Sequence, residues 1–203
     1  EACILPRIIR KEMHPLEEDQ VAVFLREVQG HPHEYLYKIA LFTGLREGEV
    51  LGLGWEHIDF QAGILTVKRQ LRREQKKGGG YYFSPPKNNK SRCLTLAPSV
   101  IQLFRLQKLE QNSMRMEAGD AWEEHGLIFT NQTGGYLSYR TVYDCFKRIV
   151  RNIGAPATRF HDLRHTFAVA SIKSGDDIKT VQENLGHATA AFTLDVYGHV
   201  TKQ

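Results

Sequence analysis

The chain has 203 residues, 41% of them hydrophobic, which is enough for one large or two small domains with a substantial buried core. Its three widely spaced cysteines argue against a disulfide framework or a thiolate metal site. The sequence has neither an apolar run long enough to cross a membrane nor a signal-peptide layout, so we expect a reducing, cytoplasmic setting. The formal charge is only +4, yet nine of the 27 Lys and Arg residues fall between residues 68 and 92, an excess typical of a surface that binds an anionic polymer or of a solvated charged loop.

The first quarter of the chain predicts three helices after an extended lead-in. Residues 1–12 have no clear period and are expected to be an interdomain linker. Pro15 followed by acidic residues indicates a helix start, and that helix is predicted to stop at Gly30. Helical spacing of apolar residues predicts a second helix over 34–43, ended by a left-handed Gly44, and a third over 47–54.

The pattern then changes to short β-type runs at 57–60, 64–71, 81–83 and 92–96, separated by glycine turns. These runs predict one small antiparallel sheet whose central hairpin carries the basic cluster. The remainder predicts a short strand-like piece at 127–129 and five helices, at 98–116, 138–152, 161–174, 177–185 and 189–198. The predicted fold class is therefore α+β: a mostly helical domain with one inserted sheet.

The residues that constrain function most tightly are polar and lie mainly near the C-terminus. His161, Arg164 and His187 are followed by Tyr197, and Arg46 lies far upstream after Gly44. This set suits attack on a phosphodiester by a protein hydroxyl, because cations can hold the non-bridging oxygens while imidazoles manage protons.

The chemistry needs several such cations. A phenol has a pKa near ~10, so only about one in a thousand is ionised at neutral pH. Phosphate-ester cleavage requires on the order of 20 kcal/mol of catalysis, whereas one preorganised donor supplies roughly 3–4 kcal/mol. Lys87 lies at a predicted hairpin bend, where its ammonium can donate a proton to the leaving 5′-oxygen. Glu49, three residues after Arg46, is suited to orient that arginine or an imidazole.

Four segments make the chain resemble the catalytic domain of the tyrosine recombinases, in particular integrases of phages and conjugative transposons: TGLREGE at 43–49, PKNNKSR at 86–92, HDLRHT at 161–166 and LGH at 185–187. The resemblance covers residues 13–203. It implies catalytic roles for Arg46, Lys87 (with Lys90 as the alternative lysine), His161, Arg164, His187 and the nucleophile Tyr197, supported by Glu49.

The resemblance also implies covalent 3′-phosphotyrosyl DNA, no metal or other cofactor, and strand exchange in a homotetramer on synapsed DNA, with accessory DNA-bending or directionality factors. It implies a bacterial, nucleoid-associated location and integration or excision of a mobile element. The family's N-terminal DNA-binding domains are missing and only six residues follow Tyr197, so we expect a fragment in which tetramer assembly is weakened.

DNA contacts are predicted for the basic residues of the hairpin region: Lys68, Arg69, Arg72, Arg73, Lys76, Lys77, Lys90 and Arg92. His165 is expected to be a packed or hydrogen-bonded histidine without a chemical role, and zinc binding by His161 and His165 is disfavoured because Asp162 replaces the required Glu. The alternatives to a recombinase are DNA relaxation of the type IB topoisomerase kind, a non-catalytic DNA-binding module and, more remotely, a protein–protein scaffold.

Overall fold

The computed structural model describes residues 12–76, 78–87, 89–186 and Tyr197. Three groups of predictions therefore lie outside the described residues: the linker up to residue 11, the roles of Lys77 and His187, and the helix over 189–198 apart from Tyr197, which is helical. Within the described residues, no helix has both the length and the apolarity that a bilayer crossing requires.

The first three helices are α1 (Glu18–Glu27), α2 (Glu34–Thr43) and α3 (Glu47–Leu51). The predicted start at Pro15 was wrong, since Glu17 is the N-cap and its backbone N–H donates to Gln20 Oε1 at 3.0 Å. The second helix was predicted with its observed bounds, and Gly44 ends it in the left-handed conformation with φ of 62°. The third helix is shorter than predicted.

Five short strands follow, β1 (Ile58–Asp59), β2 (Ile64–Val67), β3 (Gln70–Arg73), β4 (Tyr81–Ser84) and β5 (Arg92–Thr95). They form two antiparallel sheets, β1-β2-β5 and β3-β4, so the prediction of a single sheet with a continuous strand over 64–71 was wrong. The break comes at Arg69, whose Nε donates to Gly52 O at 2.9 Å and whose guanidinium lies 4.0 Å from the Phe83 ring centroid. These contacts direct the chain from the first sheet into the second.

Four further α-helices have both ends within the described residues: α4 (Pro98–Ala118), α5 (Tyr139–Asn152), α6 (Asp162–Lys173) and α7 (Ile178–Leu185). Their ends follow local signals: Pro98 occupies the first turn of α4, and the Asp177 carboxylate accepts from the Lys179 and Thr180 amides at the start of α7. The segment predicted as a strand at 127–129 makes only an isolated bridge between Leu127 and Gly54.

Two apolar clusters hold these elements together. The large one includes Phe24 of α1 and Phe146 of α5, whose ring centroids are 6.1 Å apart, and Tyr37 of α2, which donates to Val142 O. The small one is built from α6 and α7 around Tyr197, with Ala168, Ile172, Val181 and Leu185. The architecture confirms the predicted fold class, a mostly helical α+β domain.

Candidate active site

Arg46 lies at the N-cap position of α3, two residues after the left-handed Gly44. Its Nη1 donates to Glu49 Oε1 at 2.9 Å and its backbone N–H to Glu49 Oε2 at 3.0 Å. The Arg46 side chain remains 21% exposed while that of Glu49 is fully buried. Glu49 thus holds Arg46 in place while the Arg46 side chain keeps a partly exposed surface.

Arg92 completes this ion-pair network from β5. Its Nη1 and Nη2 donate to the two Glu49 oxygens at 2.9 and 2.8 Å, and its Nε donates to Asn184 O at 2.9 Å. Although burial alone would raise the pKa of Glu49, Arg92 and Arg46 lower it to about 2. The side chain of Arg92 is only 10% exposed, so its geometry favours support of Arg46 over the DNA contact predicted from sequence.

Arg164 is the largest fully buried side chain among the described residues. Its Nη1 donates to Gly44 O at 2.7 Å and its Nη2 donates to Leu185 O, so the guanidinium joins the end of α2 to the end of α7. Burial and the nearby Arg46 lower the pKa of Arg164 to about 9, which still leaves it cationic at neutral pH. The electrostatic effect of Arg46 on Arg164 indicates that the two positive groups lie near each other.

His161 and His165 lie one turn apart at the start of α6, with ring centroids 5.1 Å apart. Next to them Asp162 is fully buried and accepts hydrogen bonds from the Arg159 backbone N–H, Nε and Nη2 at 2.7–2.9 Å. Partial desolvation of the rings, followed by neighbouring charges, lowers the pKa of each histidine to about 4, although His161 keeps an exposed surface. Both rings are therefore neutral at physiological pH.

Tyr197 is buried in the small apolar cluster, and a hydrogen bond joins its hydroxyl to Nδ1 of His165. Burial raises the pKa of Tyr197 to about 12, against the opposing effect of Arg164. Sequence reasoning treated His165 as a bystander and expected His161 to be the proton acceptor or a hydrogen-bond partner. The available signal was the i,i+4 spacing of the two histidines, which places them on one helical face.

A cleft of about 570 Å³ opens beside Arg46 and His161, which both line it. Arg72, Arg73 and Tyr82 of the β3-β4 hairpin also line it. Glu47 also lines the cleft; its Oε1 is buried without a hydrogen-bond partner, and desolvation raises the pKa of this carboxyl to about 7. The cleft thus combines a basic wall with one poorly solvated acid.

Lys87 is exposed in the connection between β4 and β5, whose start is held by a hydrogen bond from Gln70 Nε2 to Pro85 O at 2.7 Å. It is not among the described residues that line the cleft. The other predicted DNA-contact residues divide by exposure. Arg69 is engaged with Gly52, Glu56 and Phe83, whereas the exposed ones are Lys68, Arg72, Arg73, Lys76 and Lys90.

Chemically, two guanidinium groups, a neutral imidazole and a phenol in one region form a set suited to phosphodiester chemistry. No group of three or more His, Cys, Asp or Glu side chains within the described ranges has a geometry that would hold a metal ion.

Comparisons with known proteins identify the family of the chain. The model of the phage integrase family matches residues 14–203. A tyrosine recombinase XerC-like protein of Caldanaerobacter subterraneus subsp. tengcongensis is 30% identical over 202 residues, which covers 95% of this chain and 52% of the relative. Transposase A from transposon Tn554 of Staphylococcus aureus is 28% identical over 201 residues, with 97% and 52% covered.

Among solved structures, the Tn1549 transposon integrase in complex with transposon right end DNA aligns with a TM-score of 0.78 and 26% identity, covering 93% of this chain and 62% of that one. The chain spans about half the length of the curated relatives that it matches.

Proposed function

Because the chain belongs to the phage integrase family, we propose that it cuts and rejoins DNA at specific sites through a covalent 3′-phosphotyrosyl link to Tyr197. One observation carries the proposal: residues from three distant parts of the chain meet at one place, with the buried Arg164 bonded to the ends of α2 and α7 and close to both Arg46 and Tyr197.

In the proposed reaction the Tyr197 oxygen attacks the scissile phosphorus while Arg46 and Arg164 hold the non-bridging oxygens. As the P–O5′ bond breaks, Lys87 donates a proton to the departing 5′-oxygen. A 5′-hydroxyl of a partner strand later attacks the phosphotyrosine and releases the phenol. The phosphotyrosyl bond conserves the energy of the broken linkage, so the reaction needs no ATP. His187 is proposed from its sequence motif as a further phosphate ligand.

Duplex DNA is proposed to lie along the basic wall of the cleft, with phosphate contacts from Lys68, Arg72, Arg73, Lys76, Lys77 and Lys90. The similarity to transposon integrases and transposases supports a mobile element as the source of the DNA, integrated or excised by the enzyme. We further propose assembly as a homotetramer on synapsed sites, with accessory DNA-bending or directionality factors.

The test is covalent capture. The protein is incubated with a pool of nicked duplexes whose sequence around the nick is randomised, and adducts are separated by denaturing electrophoresis and sequenced. Wild type is expected to give adducts enriched in one sequence, and Tyr197→Phe none. Tyr143→Phe, which alters an exposed tyrosine of α5, is the matched control and should retain the adduct.

The absence of any adduct from wild type, or an undiminished one from Tyr197→Phe, would reject the proposal. Adducts formed at all sequences alike would instead indicate relaxation of the type IB topoisomerase kind. Arg46→Lys and Arg164→Lys are expected to slow adduct formation by roughly 10²–10³-fold, since an ammonium cannot reproduce the two-pronged grip of a guanidinium.

A further inference from the structure

The hydroxyl of Tyr197 has a defined partner in this structure. Nδ1 of His165 is within hydrogen-bond distance of the Tyr197 oxygen, and the two ring centroids are 5.7 Å apart. Tyr197 is 1% exposed, so the environment of its hydroxyl is set by the protein. His165 itself is half-buried on α6, next to Arg164 in sequence.

We propose that His165 is a catalytic residue, the group that accepts the Tyr197 proton when the phenol attacks phosphorus and returns it when the strand is rejoined. This inference rests on the proposed function. It assigns proton acceptance to His165, whereas the sequence suggested His161 as proton acceptor or hydrogen-bond partner.

The positions of the two histidines support this division. His161 lines the cleft together with Arg46, where a phosphate would lie, whereas His165 is the one hydrogen-bonded to the phenol. The His161 ring lies edge-on to that of His165, at 5.1 Å between centroids and 85° between planes. His161 is therefore placed to contact the phosphate, and His165 to contact the nucleophile.

The proton balance is simple. In the ground state the phenol O–H donates to the unprotonated Nδ1 of a neutral His165 whose proton is on Nε2. As the O–P bond forms, the O–H bond breaks and its proton moves to Nδ1, giving an imidazolium, while the departing 5′-oxygen takes a proton from Lys87. In rejoining, the attacking 5′-hydroxyl returns its proton to the neutral amine of Lys87, while the phenolate leaves phosphorus and recovers the proton from Nδ1.

The groups around His165 determine its resting protonation state. Burial, Arg164 and Arg159 lower the pKa of His165 to about 4, which keeps the ring neutral and able to accept. Since the pKa of Tyr197 is raised to about 12, the proton moves during O–P bond formation and not before it. The negative charge of Asp162 raises the pKa of His165, whereas the arginines lower it. Asp162 therefore stabilises the imidazolium once it forms.

The experiment measures single-turnover cleavage of the captured DNA site by wild type, His165→Ala and His165→Asn. The asparagine oxygen keeps a hydrogen-bond acceptor near the position of Nδ1 but does not take up a proton at neutral pH. If His165 accepts the proton, both variants should cleave about 10²–10⁴-fold more slowly than wild type. Circular dichroism and DNA-binding anisotropy should show both variants folded and bound.

A second substrate separates proton acceptance from proton donation. In a duplex with a 5′-bridging sulfur at the scissile position, the leaving thiolate needs no proton. This substrate should restore the rate of Lys87→Ala but not that of the His165 variants. His125→Asn, at a histidine far along the chain from α6, is the matched control and should cleave like wild type.

Wild-type cleavage by His165→Asn would overturn the inference and leave only a positioning role. Faster cleavage by either variant would also overturn it, since His165 would then restrain the nucleophile. Restoration of the His165 variants by the sulfur substrate would contradict it as well. If wild type gives no Tyr197-dependent adduct, the proposed function fails instead, and the two failures are distinguishable.

Discussion

Glu47 is a titratable residue whose burial is not matched by hydrogen bonding. Its Oε1 is buried without a partner and desolvation raises its pKa to about 7. A folded-state pKa above the unfolded value means that the native state binds more protons, so stability is lost as pH rises from about 4.5 to 7.

Glu47→Gln removes this titration. We expect the variant to be more stable than wild type by about 1–3 kcal/mol at pH 8, which corresponds to a melting temperature higher by roughly 2–8 °C, and the difference to vanish near pH 4.5. Thermal unfolding across this pH range measures it. Glu117→Gln, at an exposed glutamate of α4, is the control and should be as stable as wild type at pH 8. A Glu47→Gln difference that does not change with pH would contradict the prediction.

At the scale of single residues, the sequence indicated which residues belong to the site. It did not indicate which of them form pairs with one another. Arg46, Glu49 and Arg164 fall in short motifs, Tyr197 lies ten residues beyond the last motif, and these residues do lie near one another. The pairing of Arg92 with Glu49 joins residues 43 positions apart, and that of His165 with Tyr197 joins residues 32 apart. Such pairs depend on how β5, α6 and α7 pack, which no local pattern records.

At the scale of elements, the turn between α2 and α3 depends on Gly44. Its φ of 62° is unfavourable for other residues, and a Cβ built there would lie 2.6 Å from Phe167 Cδ1 and 2.9 Å from Leu185 Cδ2. Its carbonyl also accepts from Arg164. A side chain at position 44 therefore disturbs both the end of α2 and the guanidinium of Arg164.

We expect Gly44→Ala to lower the free energy of unfolding by about 2–4 kcal/mol, from backbone strain plus overpacking, and to slow DNA cleavage. Gly30→Ala is the matched control, since Gly30 has a φ of 74° but no atom within 4 Å of a Cβ added there, and should cost only about 1 kcal/mol with cleavage unchanged. Denaturant unfolding and adduct formation measure the two effects. Equal destabilisation of both variants would show that the contact with Phe167 and Leu185 is unimportant.

Helices were predicted more accurately than strands, for a physical reason. The bounds of α2 follow from residues within the segment, apolar spacing and a terminal glycine. The break between β2 and β3 follows from where Arg69 binds, at Gly52 and Phe83, which are remote in sequence. The alternation of apolar and polar residues alone therefore could not predict which strands pair in this region.

At the scale of the whole molecule, the uneven charge distribution predicts how DNA binding responds to salt. Arg72 and Arg73 are exposed on the cleft wall. Replacing either by Ala should weaken binding to all sequences and reduce the slope of log K against log salt by about 0.9 for each phosphate that the protein no longer neutralises. Fluorescence anisotropy at several salt concentrations measures the slope.

Arg115→Ala removes the same charge from the end of α4, where Arg115 pairs with Glu124, and serves as the control. Its slope should equal that of wild type. If it falls as much as that of Arg72→Ala, net charge rather than the cleft wall determines binding.

The packing of Tyr197 has a consequence for the order of events after cutting. Its ring lies among Ala168, Ile172, Val181 and Leu185, so the side chain that would carry the DNA is also part of the protein interior. A cleaved DNA strand joined to Tyr197 would therefore be held in place against α6 and α7. The 5′-hydroxyl end of the cleaved strand has no covalent bond to the protein, so it is the end that leaves. Strand exchange then requires only this one DNA end to move.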